Sequence, residues 1–198
     1  EFSNLHTDRR WKATCNAISK QAARNGYKQE ELIYGRKDGM ALTLIHIQPK
    51  TKTNRKAIIF VSSGGWVSGY NGVEAGTQLT AQYLAQGFTV FHVVHGSVPR
   101  FAIPDAVSDL KRAVRFVRYH SNKFGIDPEK IGITGASAGG HLSLMIATAA
   151  DSLNLTAADP VDRVSARVQA AAVLFPPTDL LNWGGPGLNM VNAKDLVR

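Results

Sequence analysis

The spacing of apolar positions changes several times along the chain, and each change marks an element. Residues 29–36 read as a first strand, followed by the turn signal Lys37-Asp38-Gly39. Residues 40–48 alternate between apolar and polar and are rich in β-formers, so they predict a second strand. Residues 57–63 and 88–95 are almost continuous apolar runs, the pattern of strands buried on both faces of a parallel sheet. Residues 130–134 and 168–175 predict two more strands. Helical spacing lies between these runs. It passes through Leu79, Tyr83 and Leu84 in 74–86, with Gly87 as a plausible stop. In 104–124 it passes through Val107, Leu110, Val114 and Val117, with Pro104 in the first turn and Gly125-Ile126-Asp127-Pro128 as the end. A third helix is predicted over 137–150.

A hairpin-like opening followed by alternating strands and helices predicts an α/β fold, a three-layer sandwich with a mostly parallel sheet. Residues 1–28 read as an N-terminal arm or helix, 29–198 as one domain, and 176–198 as a loop or lid region within it. The 198 residues suit one domain with a real core, since most domains span ~100–200 residues.

Composition changes this picture little. Apolar residues make up 44% and charged residues 19%, which excludes a disordered or fibrous chain. The net charge of +8 raises the question of nucleic acid. The cations form three separate groups, at 9–12, 50–56 and 111–118, and the last is expected on the solvated outer face of a helix. No zinc-finger or RNA-binding pattern accompanies them, so no nucleic-acid partner is expected. No apolar run reaches the ~18 residues of a membrane span. The single cysteine, Cys15, allows no internal disulfide. That fits a reducing compartment or a cysteine-poor secreted protein, and the expectation leans to secreted or periplasmic.

The chemistry begins at Gly135-Ala136-Ser137-Ala138-Gly139, a G-x-S-x-G pattern between the 130–134 strand and the 137–150 helix. A sharp strand-to-helix turn lifts such a serine above the sheet and needs small neighbours. The following helix aims its N-terminal amides at the reacting oxygen, with Ala138 supplying the amide after the nucleophile. A second element, Ser63-Gly64-Gly65-Trp66, follows the 57–63 strand. Its glycine pair exposes backbone amides in a nest, so Gly64 and Gly65 are candidate oxyanion donors. Trp66 is a candidate substrate-wall residue.

On these motifs the chain resembles the α/β-hydrolase superfamily, within it the esterase/lipase-like carboxylesterases with an H-G-G-G-W oxyanion loop. The resemblance covers about Leu32 to Trp183. Ser62-Ser63-Gly64-Gly65-Trp66 resembles the oxyanion loop, with serine in place of histidine. His95 to Pro104, then Asp105 and Asp109, resembles the Y-R-L-A-P-E segment, with His95 and Gly96 replacing tyrosine and arginine. Gly135 to His141 resembles G-x-S-A-G-G-H, and Phe175 to Leu180 the passage that follows the nucleophile helix. The resemblance implies a carboxylic ester hydrolase acting through an acyl-enzyme on Ser137, on a short acyl or carbohydrate-linked ester. It adds His95 and Pro177 as wall candidates and implies no cofactor and no metal.

The resemblance also implies the chain order serine, acid, histidine. After Ser137 the one histidine is His141, on the nucleophile helix itself. The acids there are Asp151, Asp159, Asp162, Asp179 and Asp195, none of them after a further strand. The expectation is therefore an incomplete α/β-hydrolase domain whose C-terminal strands are missing from this chain. The acid and the histidine would come from the remainder of the domain, as a second polypeptide or a further part of the same one. The alternative is a non-catalytic relative that binds a ligand or protein.

Overall fold

The computed structural model describes residues 26–50, 52–149, 151, 153–182 and 185–186. The expectations for 1–25, among them Cys15, and for Trp183 and 187–198 lie outside those described residues. One sheet holds β1 (Tyr27–Lys37), β2 (Met40–Pro49), β3 (Ala57–Val61), β4 (Thr89–Val93), β5 (Ile131–Ala136) and β6 (Ala170–Leu174). The strands run in the order β1-β2-β4-β3-β5-β6. β1 and β2 form an antiparallel hairpin, and β2 joins β4 antiparallel. From β4 onward every pairing is parallel. This is the α/β sandwich that the hydrophobic pattern predicts.

The helices are α1 (Asn71–Ala85), α2 (Ile103–Tyr119), α3 (Ser121–Phe124) and α4 (Ala138–Thr148). The step from β3 to β4 moves one way across the sheet, and the steps to β5 and β6 move the other way. Right-handed crossovers then place α1 on one face and α2 with α4 on the opposite face. Side chains follow this division. Leu42, Leu44, Ile59 and Val61 join Leu110, Val114, Val117 and Leu142 in the larger core. Ile45, Ile47 and Val90 join Val73 and Leu84 of α1 in the smaller one. The alternation of Ile58 and Ile59 between the two clusters is the period-2 geometry of a strand.

Three details depart from the pattern reading. Leu79, expected on the inner face of its helix, is 49% exposed, because α1 turns Val73, Thr80 and Leu84 inward instead. The predicted 104–124 helix breaks at His120 (φ −94°, ψ 18°) and restarts as α3. The break turns Phe124 into the core, where its ring meets Phe91 at 5.0 Å. The third basic group is also not a solvated face. Arg115 pairs with Asp151 at 2.8 Å, and Arg112 with Asp159 and Asp162. Buried Arg118 donates to the carbonyls of Pro128, Ser165 and Arg167. These cations clamp the segment that leads into β6.

Candidate active site

At the junction of β5 and α4, Ser137 takes φ 51° and ψ −124°. A non-glycine residue occupies that region only when its surroundings impose it, at a cost of ~1–3 kcal/mol. The surroundings do so here. The Ser137 N–H donates to the Leu174 carbonyl at 3.0 Å, and its own carbonyl accepts from the His141 N–H at 3.0 Å. A Cβ on Gly135 would lie 2.5 Å from the Gly139 carbonyl oxygen, and one on Gly139 would lie 2.4 Å from that of Val61. Both contacts are with backbone, so neither position accepts a side chain. The turn has the sharp strand-to-helix geometry that the G-x-S-x-G spacing predicts.

The loop after β3 closes into a tight turn. Gly64 and Val67 exchange both backbone hydrogen bonds at 2.9 Å, with Gly65 (φ 55°) and Trp66 (φ 60°) between them. Positive φ at both central residues is the signature of a type I′ turn. The closure corrects one expectation: the Gly64 N–H is already donated to Val67, so it is not a free oxyanion donor in this conformation. The Gly65 and Ala138 amides meet no protein acceptor among the described residues. The turn is tied to α4 by the Gly139 N–H, which donates to the Ser63 carbonyl at 3.2 Å. Ser68 ties it to the loop after β4: its hydroxyl donates to the Ser62 carbonyl and accepts from the His95 N–H at 3.2 Å. Ser97 completes the stitch, accepting from the Ser68 N–H at 2.8 Å.

The three wall candidates are corrected by burial. Trp66 and His95 are each 3% exposed, and Pro177 is buried. Trp66 turns inward and donates its indole N–H to His141 Nδ1 at 3.2 Å. His95 folds back on its own loop, its Nδ1 2.7 Å from the Gly96 carbonyl oxygen. The surface beside the elbow is instead an open cleft of about 600 Å³ on the α1 side, lined by Phe60, Ser63, Gly64, Tyr70, Leu79 and Ala136. The Trp66–His141 contact was invisible in the sequence, because the partners stand 75 residues apart.

Among the described residues no histidine ring is hydrogen-bonded to the Ser137 hydroxyl; the one histidine contact of Ser137 is the backbone bond from the His141 N–H. His46 holds Glu30 at 3.0 Å and stacks on Phe91. His92 lies 3.0 Å from the Thr80 hydroxyl under α1, where burial drives its pKa down to about 3. His120 packs against Phe116. Burial also lowers the pKa of His95 and of His141. The described acids after Ser137 are engaged as well. Asp151 accepts from the Ala166 N–H, and Asp159 caps a 3-10 turn through the Val161 N–H. Asp179 accepts from the Leu181 and Asn182 N–H groups, so it serves its own turn. Among the described residues no group of three metal-ligating side chains occurs, and no helix is long and apolar enough to cross a membrane.

The edge beside the elbow is open. Ala170, Ala171 and Ala172 of β6 are exposed, as are Leu174 at 51% and Phe175 at 75%. Since Leu174 accepts the Ser137 N–H, this open strand adjoins Ser137 directly.

Known proteins are similar to this chain in sequence and fold. A probable carboxylic ester hydrolase of Mycobacterium tuberculosis, LipM, is 33% identical over 130 residues, covering 62% of this chain and 28% of its own length. Esterase 2 of Thermogutta terrifontis, phosphorylated by paraoxon, superposes with a TM-score of 0.64 at 28% identity, covering 77% of this chain and 58% of that one. The butyrate-bound form of the same esterase gives 0.63 at 29% identity, covering 79% and 56%. The chain thus spans little more than half of those solved structures and about a quarter of the curated relative. The BD-FAE family model matches residues 44–195, from β2 through the elbow and beyond β6. With well over half of its residues inside that match, the chain belongs to the BD-FAE family and has the α/β-hydrolase fold.

Proposed function

We propose that this chain carries the nucleophile and oxyanion half of a serine carboxylic ester hydrolase that acts on short acyl esters. The observation that carries the reading is Ser137, held at φ 51° and ψ −124° between a parallel strand and an 11-residue helix. Strain of this kind persists where surrounding structure enforces it, and it clusters at active sites. The Ser137 hydroxyl attacks the ester carbonyl and passes its proton to a histidine. The Gly65 and Ala138 amides receive the negative charge on the carbonyl oxygen. Collapse of the tetrahedral intermediate expels the alcohol, which takes the proton from the imidazolium. Water, deprotonated by the same imidazole, then hydrolyses the acyl-enzyme. The short acyl preference draws on the butyrate-bound Thermogutta esterase, and the serine chemistry on its paraoxon adduct.

Histidine and acid come, in this reading, from a segment outside the described residues that packs on the open side of β6. The bare apolar edge supports it, because unprotected edge strands normally carry charge, bulges or proline. A specific observation favours the second reading, a non-catalytic ligand-binding relative: no described imidazole reaches Ser137. Labelling by a fluorophosphonate separates the two. In the complete protein the reagent modifies Ser137, and Ser137→Ala abolishes both labelling and turnover, with kcat down by several orders of magnitude. Wild-type protein that stays unlabelled would end the hydrolase reading.

A further inference from the structure

Two side chains gathered at the site take no part in those steps, although each adjoins a group that does. Trp66 directly follows the Gly65 donor. His141 lies on the first turn of α4, four residues past Ser137. The Trp66 Nε1–H donates to His141 Nδ1 at 3.2 Å, and the rings meet edge to face, with centroids 5.8 Å apart at 83°. Both side chains are buried, with 3% of Trp66 and 9% of His141 exposed.

The chemistry of the pair fixes its roles. An indole N–H can only donate, so Nδ1 accepts and the ring proton sits on Nε2. That requires neutral imidazole, the form that burial favours here. Trp66 also needs holding. At φ 60° it occupies a backbone region that a bulky L residue takes only under constraint. A second tie joins the same loop to the same helix, from the Gly139 N–H to the Ser63 carbonyl at 3.2 Å. One tie precedes Gly64 and Gly65 in sequence, and the other follows them. The stretch bearing the Gly65 amide is thus fastened at both ends to the helix that bears the Ala138 amide.

We propose that Trp66 and His141 are positioning residues, a hydrogen-bonded lock that fixes the oxyanion turn against the nucleophile helix. This deepens the ester-hydrolase reading and rests on it. Neither side chain touches substrate; both act through the placement of the Gly65 and Ala138 amides. Placement matters because oxyanion donors work by standing ready before charge develops. A displacement of about 1 Å costs on the order of 10²-fold in rate.

The test uses the complete protein and hydrolysis of p-nitrophenyl butyrate. Trp66→Phe keeps an aromatic ring and loses the donor, and His141→Leu loses the acceptor. Each lowers kcat by about 10- to 100-fold, while KM moves by less than about threefold. His141→Gln offers a carbonyl to the indole and restores most of kcat. The double variant Trp66→Phe/His141→Leu is no slower than the worse single variant, because both remove one interaction. Equal losses in His141→Gln and His141→Leu, or additive losses in the double variant, would overturn the lock and leave mere packing. So would single variants whose kcat stays within about twofold of wild type. If His141→Leu fails to fold, His141→Gln against Trp66→Phe carries the same contrast: the first retains kcat and the second loses it. The Trp66 indole N–H resonance in 15N-labelled protein gives a readout that needs no catalysis. It shifts and loses exchange protection in His141→Leu but not in His141→Gln. An unmoved resonance in His141→Leu sinks the lock, whereas an unlabelled Ser137 in wild type sinks the hydrolase reading.

Discussion

β4 and β6 are both short apolar strands, Thr-Val-Phe-His-Val and Ala-Ala-Ala-Val-Leu, yet they stand in opposite surroundings. β4 lies between β2 and β3 with helices over both faces, and all of its residues are buried. β6 pairs with β5 alone among the described strands, and four of its five residues are exposed or nearly so. An apolar run therefore records that a strand is suited to cover, and its neighbours decide whether it has any. Around β4 the described residues supply that cover, and the interior is dry enough to hold His92 neutral. Beside β6 the described residues supply no such cover, and none of their imidazoles is hydrogen-bonded to the Ser137 hydroxyl. The contrast gives the proposal of a further segment its physical content: one piece of chain would cover the edge and serve the nucleophile.

The sharpest way to break this comparison lies at the seam between the two regions. Gly139, in the first turn of α4, packs against the end of β3, and an added Cβ would lie 2.4 Å from the Val61 oxygen. Backbone cannot yield there as a flexible side chain would. Gly139→Ala is expected to cost ~3 kcal/mol or more, beyond the usual overpacking penalty. A urea midpoint close to wild type would show that the elbow is looser than its geometry indicates. Arg118 sharpens the comparison from the β6 side. Its guanidinium spans three carbonyls, and two of them, those of Ser165 and Arg167, precede β6. Lysine brings a charge without the planar fork. Arg118→Lys should cost about 2 kcal/mol, the scale of one or two hydrogen bonds to a charged group. Amide exchange locates the loss: protection falls in β6 and holds in β4. Equal loss in both strands would mean that the clamp serves the whole domain.

The dry side of the comparison answers to acid. Folded, His92 takes up a proton only near pH 3, whereas its ordinary pKa is 6.5. Between those values the unfolded chain binds more protons, so stability falls as pH drops through the window. The steepest expected slope is about 1.4 kcal/mol per pH unit for this one group. His92→Gln removes the titration, so its urea midpoints should change less than those of wild type between about pH 7 and about pH 4. Parallel pH profiles would show that water reaches the ring.

The period of the apolar residues carried the fold, because strands buried on two faces and amphipathic helices leave different spacings. It could not distinguish β4 from β6, since cover is a tertiary property. The elbow was legible because its constraint is local: glycines two residues either side of Ser137 are what the turn sterically requires. The Gly65 turn was half legible. Its glycines announced a nest, but the closure that occupies the Gly64 N–H depends on Val67, a residue with no polar signal. Trp66 and His95 misled for a related reason. An aromatic ring beside a glycine pair suits a wall or a core equally, and only the distant partner His141 decides for Trp66. The charges of α2 read as a solvated face because their carbonyl and carboxylate partners lie 10 to 49 residues away.

The smallest expected effect probes the open edge itself. Phe175 follows β6 and is 75% exposed, so in these 198 residues its ring has little to lose. Phe175→Ser should shift stability by no more than about 0.5 kcal/mol, the usual range for surface positions. If a further segment packs on β6 in the complete protein, the same ring is buried there, and its truncation costs ~3 kcal/mol or more. The difference between the two measurements is thus the quantity of interest. A large difference, accompanied by loss of Ser137 labelling in the complete Phe175→Ser protein, places the covering segment on the strand whose Leu174 carbonyl holds the nucleophile's own N–H. Two small and equal effects would leave β6 a bare edge in both settings, and the histidine would then have to reach Ser137 by another route.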